Sequence, residues 1–174
     1  VIAKYRLSAR KSLGQNFLLD LNITRRIAAT AGPFEDIVVL EIGSGPGGLT
    51  RSLLELGAGK VLAVERDDRC IAALEAIKAL ADDRLVILNE DAFYLDIESL
   101  VLRYGRLRVI ANLPYNIATP LLLGWLAKID LFEGFLLMFQ KEVADRLIAV
   151  PGSKAYGRLS VAAQWRCKTR QIGR

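Results

Sequence analysis

Histidine is absent from the 174 residues, and the chain has only two cysteines and one methionine. Without imidazole there can be no Ser-His triad, no Cys-His pair and no His-ligated zinc. Cys70 and Cys167 lie far apart and make neither a disulfide framework nor a metal-ligand cluster, so both read as small buried residues and no metal is expected. No apolar run approaches the roughly 20 residues that a membrane-spanning helix needs. No signal-peptide core stands at the N-terminus. Internal repeats, low-complexity tracts and Pro/Gly/Ser-rich linkers are also missing. The expectation is a cytoplasmic protein without membrane association, whose chemistry rests on amides, carboxylates, backbone groups or a cofactor.

What is present suits one domain over residues 1–174, because 52% hydrophobic content is enough for a proper core. The start at Val1 and the basic stretch ending at Arg174 read as the limits of a truncated domain. A net charge of +5 and a pI near 9.4 favour a polyanionic partner. Lys4, Arg6, Arg10 and Lys11 crowd one end, and Arg166, Lys168, Arg170 and Arg174 the other. Tyr5, Tyr156 and Trp165 interleave with these charges, as on a phosphate-contacting surface, although solvated termini would look similar.

Apolar runs alternate with helical periodicity. Residues 38–42, 60–64, 85–88, 107–111, 134–139 and 159–164 read as strands, the first five as buried ones because their polarity hardly alternates. Helices are predicted over 21–31, stopped by Gly32-Pro33, and over 49–56, 68–80, 120–128 and 141–149, the last ended by Pro151-Gly152. This rhythm predicts an α/β fold, a mainly parallel sheet with helices on both faces. Ligands in such sheets bind beyond the carboxyl ends of the strands. Glu41 to Gly45 lie at the end of the first strand, Glu65 follows the second, Asp91 the third and Asn112 the fourth.

Gly43, Gly45, Gly47 and Gly48 form a loop in which absent side chains let backbone approach a ligand. Gly43, Gly45 and Gly48 also match the dinucleotide pattern, with Glu65 placed to accept from ribose hydroxyls, so a nicotinamide oxidoreductase is one reading. Glu41 argues instead for a cationic or amino-bearing ligand, and Pro46 removes a donor that a phosphate would want. Both features favour S-adenosylmethionine, whose adenine amino group Asp91-Ala92 would suit.

Asn112-Leu113-Pro114-Tyr115 carries the most specific chemistry. The exocyclic amine of adenine is a poor nucleophile because its lone pair is spread into the ring. Two acceptors aimed at its N–H groups would hold it for reaction, the Asn112 side-chain carbonyl and a backbone carbonyl beside it. Pro114 disfavours a helical Leu113, which can then turn its carbonyl into a pocket. Tyr115 offers a face for stacking, worth roughly 1–3 kcal/mol per base. An ordinary strand-end turn is the competing interpretation of the same four residues.

Taken together, these residues resemble the ribosomal RNA adenine dimethyltransferases. Gln15-Asn16-Phe17-Leu18 is similar to their N-terminal cofactor segment, and residues 41–47 to their glycine loop. Glu65, Asp91-Ala92 and the tetrapeptide follow in the expected order. Gln140-Lys141-Glu142-Val143 and Tyr156-Gly157-Arg158-Leu159-Ser160-Val161 resemble further family segments.

The resemblance implies a Rossmann-like class I S-adenosylmethionine methyltransferase that dimethylates the N6 amines of two adjacent adenosines near the 3′ end of small-subunit (16S) rRNA. Its partners would be that rRNA and the pre-30S particle, and a monomer is expected. Gln15, Asn16, Leu18, Glu41, Gly43, Gly45, Glu65, Arg66, Asp91, Ala92 and Asn112 would serve the cofactor. Asn112, Leu113, Pro114 and Tyr115 would hold the target base. The related large-subunit rRNA methyltransferases that confer antibiotic resistance are the nearest alternative, and a non-catalytic assembly factor with the same fold is another.

Family members continue with a proline-rich loop that closes over the base, a last strand and a small helical RNA-binding domain. The last strand is therefore expected to be missing, 159–164 to be an unpaired edge, and RNA methylation by these 174 residues alone to be weak or absent.

Overall fold

The computed structural model describes residues 17–18, 20–113 and 115–173, Tyr115 by its backbone alone. Five strands form the sheet: β1 (Val38–Ile42), β2 (Lys60–Val64), β3 (Leu85–Leu88), β4 (Leu107–Asn112) and β5 (Phe132–Met138). They lie in the order β3-β2-β1-β4-β5, and every neighbouring pair is parallel. Seven helices accompany them among the described residues: α1 (Leu21–Ala31), α2 (Gly48–Glu55), α3 (Asp68–Lys78), α4 (Ile97–Tyr104), α5 (Tyr115–Ala127), α6 (Lys141–Leu147) and α7 (Arg158–Arg166). No described helix is long and apolar enough to cross a membrane.

Because strand side chains alternate between faces, each strand feeds two cores. Val39, Val61, Ala63 and Ile110 pack under α1, α2 and α3. Leu40, Ile42, Leu62, Val64, Val109 and Ala111 pack against Ile97 of α4 and Ala118, Leu121 and Trp125 of α5. A third cluster joins α5 to α6 and α7 through Leu122, Leu126, Leu147, Leu159 and Ala163. By this alternation Glu41 shares the face of Val39 and projects toward α2, although every other residue of β1 is apolar.

The central strands β1, β2 and β4 are buried almost throughout. The edge strands β3 and β5 are only half-buried along most of their length, contrary to the buried character that their apolar runs predict. Apolarity along a strand reports that both faces are covered, not that both edges are paired. Cys70 is buried as expected, whereas Cys167 is only half-buried.

The clearest departure is at 159–164, which forms α7 and not a strand. The run Leu-Ser-Val-Ala-Ala-Gln fits either period; tertiary anchors choose between them. The Ser160 hydroxyl accepts from Gly157 N–H at 3.1 Å and donates to the Arg146 carbonyl at 2.6 Å. Gln164 Nε2 donates to the carbonyls of Leu147 and Ala149 at 3.0 and 2.8 Å. These bonds fasten α7 to the end of α6 with Leu159, Ser160 and Ala163 inward, so the segment presents no unpaired edge. The outer edge beside β4 belongs to β5, beyond which no further strand lies among the described residues.

Two more differences concern helices. Helix α4 was not predicted, although Asp96 caps it by accepting from Ser99 N–H at 3.0 Å. Helix α5 begins at Tyr115, five residues before the expected start, with Pro120 inside it. Proline is favoured in a first turn, which makes Pro120 look like a beginning; an interior proline costs one backbone hydrogen bond, and the burial of Ala118, Leu121, Leu122 and Trp125 offsets it.

Candidate active site

The ends of β1, β2 and β4 and the segment after β3 open into one cleft. It is lined by Phe17, Gly43, Gly45, Glu65, Arg66, Glu90, Asp91, Ala92, Asn112, Asn116 and Ile117, with Ile42 and Val64 beneath. Its walls combine apolar side chains with a few convergent polar groups, as small-molecule sites do. A second recess adjoins it, sharing Phe17, Gly43, Gly45 and Asn112 and adding Leu18, Glu41, Ser44, Pro46, Gly48 and Leu49.

The glycine loop bends sharply, with Gly43, Gly45 and Gly47 at φ of 72°, 55° and 84°. Only glycine adopts these angles at little cost. A side chain at Gly47 would also overlap Leu74 and Ile77, and one at Gly48 would lie 2.6 Å from the Leu18 carbonyl oxygen.

The loop keeps its donors for itself. Gly43 and Ser44 donate to the Val64 carbonyl at 2.9 and 3.2 Å, Gly47 donates to the Ser44 carbonyl at 3.1 Å, and Gly45 donates to Glu65 Oε2 at 2.8 Å. Pro46 has no N–H to give. A pyrophosphate cradle needs backbone N–H groups aimed at the anion, and between Gly43 and Gly47 each is already committed.

Glu65 is the hub of this arrangement. Besides Gly45, it accepts from Arg66 N–H and Asp67 N–H, both at 2.9 Å through Oε1. The side chain is buried, and one of its edges reaches the cleft. Across the cleft Arg66 pairs with Asp91 at 2.8 Å, while Asp91 Oδ1 accepts from Phe93 N–H at 3.0 Å. The Phe93 N–H and the Arg66 guanidinium hold the Asp91 carboxyl below the usual carboxylate range. The segment from Asp91 is thus a fixed turn, continued by a hydrogen bond from Tyr94 N–H to the Asp91 carbonyl.

Glu41 is 2% exposed and accepts from the Thr50 hydroxyl at 2.6 Å. Burial pushes its carboxyl up to about 8, opposed by the Thr50 hydrogen bond and reinforced by the nearby Glu65 charge.

Asn112 ends β4 beside Gly43 and borders both recesses. Leu113 is 2% exposed and anchors its side chain in the core under α5. Gln15, Asn16 and Pro114 lie outside the described residues, as does the Tyr115 side chain. The expected residues Leu18, Glu41, Gly43, Gly45, Glu65, Arg66, Asp91, Ala92 and Asn112 all border the cleft or its recess.

Sequence reasoning gave no role to Glu90, Asn116 or Ile117, which line the same cleft. Starting α5 at Pro120 left Asn116 and Ile117 in a presumed loop. Phe17, present in the N-terminal motif without an assigned function, packs on Cys70 and Ala73 and stands over Gly45.

Comparison with known proteins decides the family. The profile described as ribosomal RNA adenine dimethylase matches residues 6–174. The chain belongs to this family. The ribosomal RNA small subunit methyltransferase A of Rhodospirillum rubrum is 57% identical over 99% of this chain and 59% of its own length. That of Xanthobacter autotrophicus is 56% identical over 98% of this chain and 60% of its own. The chain therefore spans about three fifths of these relatives. Among solved structures, a dimethyladenosine transferase from Plasmodium falciparum is similar at 32% identity and a TM-score of 0.76, over 88% of this chain and 54% of that one. The 23S rRNA methyltransferase ErmE is similar at 28% identity and a TM-score of 0.69, over 84% of this chain and 56% of that one. The fold is accordingly the Rossmann-like one expected for the dimethylase family.

Proposed function

We propose that the chain is the catalytic part of an S-adenosylmethionine-dependent rRNA adenine dimethyltransferase. Its substrate is the exocyclic N6 amine of two adjacent adenosines near the 3′ end of small-subunit rRNA, modified during assembly of the small subunit. The observation that carries this reading is the cleft itself, where four successive strands each present a polar group while the glycine loop commits its own N–H groups internally. That pattern suits a ligand with hydroxyls, an amine and a cation better than one with a pyrophosphate.

The residues present fit such a cofactor. Glu65 stands where ribose hydroxyls would donate, Asp91 and Ala92 where an adenine edge would meet a carboxylate and backbone, and Ile42, Val64 and Ile117 supply apolar walls. Glu41, Ser44 and Leu49 border the recess left for the methionine end. When bound, S-adenosylmethionine supplies a methyl group on a sulfonium.

The chain's own task is positioning. The Asn112 side-chain carbonyl accepts from the target amine and, with a backbone carbonyl of the tetrapeptide, holds its lone pair toward the donor. No general base is required. A base within a duplex cannot reach this cleft, so the adenosine must be unstacked. Dimethylation further needs room for the monomethylated amine to turn and present its remaining hydrogen.

An RNA partner agrees with the charge of the α6–α7 region, where residues 139–173 hold seven Lys and Arg against two acidic residues. There Trp165 is 81% exposed, with the Arg166 guanidinium 5.5 Å from its ring centroid. The small subunit is preferred over the large because the small-subunit relatives are 56–57% identical and ErmE 28%. The pre-30S particle as the docking partner and a monomeric state belong to the same proposal.

The test is rRNA mass spectrometry from cells with and without the full-length protein. Loss of dimethyladenosine from small-subunit rRNA is expected; loss from large-subunit rRNA, or no change, would refute the assignment. Thermal shifts with S-adenosylhomocysteine and NAD side by side test the cofactor, since a true ligand stabilises the native state by mass action.

A further inference from the structure

The least explained group in the cleft is Glu41. A carboxylate that is 2% exposed normally faces a cation, yet among the described residues no Lys or Arg forms an ion pair with it. Its surroundings are specific. Helix α2 contributes the Thr50 hydroxyl, β2 contributes Glu65 with a charge of the same sign, and β4 contributes the Asn112 amide at the shared recess. Arg66, which lines the adjoining cleft, is engaged by Asp91. Among the described residues the position therefore disfavours an ionised Glu41 until a further positive charge arrives.

On the S-adenosylmethionine reading of the site, we infer that Glu41 is a charge-reading, specificity-determining residue: neutral in the free protein, it ionises when the sulfonium of the methyl donor is bound and so favours donor over product. In methyl transfer the S–CH3 bond breaks with its electron pair left on sulfur, an N–CH3 bond forms, and the amine gives one proton to water. Sulfur is then neutral. Glu41 takes one proton back from water and loses its electrostatic hold on the product. The ammonium and carboxylate of the methionine moiety are common to donor and product, so a difference between the two ligands reports the share of the sulfonium. Each adenosine needs two donor molecules in succession, and a group that weakens its grip once the charge is spent assists the exchange between them.

Burial at the sheet end makes this coupling strong, because charges interact far more strongly there than in water. The Glu41 carboxyl of the free protein, pushed up to about 8, places the proton exchange at neutral pH.

Calorimetric titration in two buffers of different ionisation enthalpy counts the protons released. At pH 7, S-adenosylmethionine is expected to release more protons than S-adenosylhomocysteine, by up to about one. The affinity ratio of donor to product should rise with pH, by up to about tenfold per unit, and level off above about 8. Glu41→Gln should abolish both the extra proton and the pH dependence of that ratio. Equal proton counts for the two ligands in the unaltered chain would overturn the inference while leaving the cofactor reading intact. A Glu41→Gln protein that keeps the pH dependence would do the same. Failure of both ligands to bind would remove the cofactor reading itself, and the inference with it.

Discussion

Glu65 Oε2 accepts the Gly45 N–H at 2.8 Å, so the end of β2 holds the glycine loop of β1 in place before any ligand arrives. The same carboxylate accepts the N–H groups of Arg66 and Asp67. Glu65→Ala should therefore leave three backbone donors without their acceptor. The expected loss is about 1–3 kcal/mol of stability by denaturant titration, with a fall in S-adenosylhomocysteine affinity of about tenfold or more. Unchanged values for both would show that the loop is held by other means.

The two neighbouring glycines should respond differently. Gly47→Ala meets both a φ of 84° and overlap with Leu74 and Ile77, so it should cost about 1–3 kcal/mol in denaturant midpoint measurements. Gly48 lacks the positive φ, and its added Cβ would press on the Leu18 carbonyl at 2.6 Å. Gly48→Ala should move the Leu18 segment and weaken cofactor binding with a smaller loss of stability. Equal effects of both changes on stability and binding would argue against this separation.

Asn112→Ala in the full-length protein removes the side-chain acceptor for the target amine. Single-turnover methylation should fall by about 100-fold or more, in line with the loss of one well-placed polar group at a reacting centre. Association with small-subunit particles should persist. Retained methylation would move the catalytic role away from this residue.

Glu41 should also leave a mark on folding. Its carboxyl is raised from the usual 4.5 to about 8 in the native state, so between these values the folded chain binds a proton that the unfolded chain has released. Stability then falls as pH rises through that window, at up to about 1.4 kcal/mol per pH unit from this group. Asp91 acts in the opposite sense: its lowered carboxyl contributes stability that is lost as pH falls into the acid range. Denaturation of the chain and of Glu41→Gln between pH 5 and 8 should show the downward slope only with Glu41 present. Parallel curves would contradict the assignment.

The parallel sheet was legible because its apolar runs are separated by helical periodicity and turn residues, and β1, β2 and β3 match their expected limits. The gathering of the candidate site residues at one cleft was legible for the same reason. Once strand ends are known, Glu41, Glu65, Asp91 and Asn112 must gather on one edge of the sheet. What escaped were features with weak local signals. The period of residues 159–164 is ambiguous until Ser160 and Gln164 find the end of α6, and Pro120 conceals a helix that starts at Tyr115. Asn116 and Ile117 were missed as a direct consequence.

The sequence alone determined the succession of the five strands and the chemical kind of each group at the strand ends, because periodicity and residue type are local properties. The tertiary structure decided which of those groups have partners. It committed the loop N–H groups to Val64, Ser44 and Glu65, joined Arg66 to Asp91, and buried Glu41 beside Thr50 without a cation among the described residues. Partnership depends on distance and burial across elements far apart in the chain. The charge state of a buried carboxylate therefore cannot be read from its neighbours in sequence.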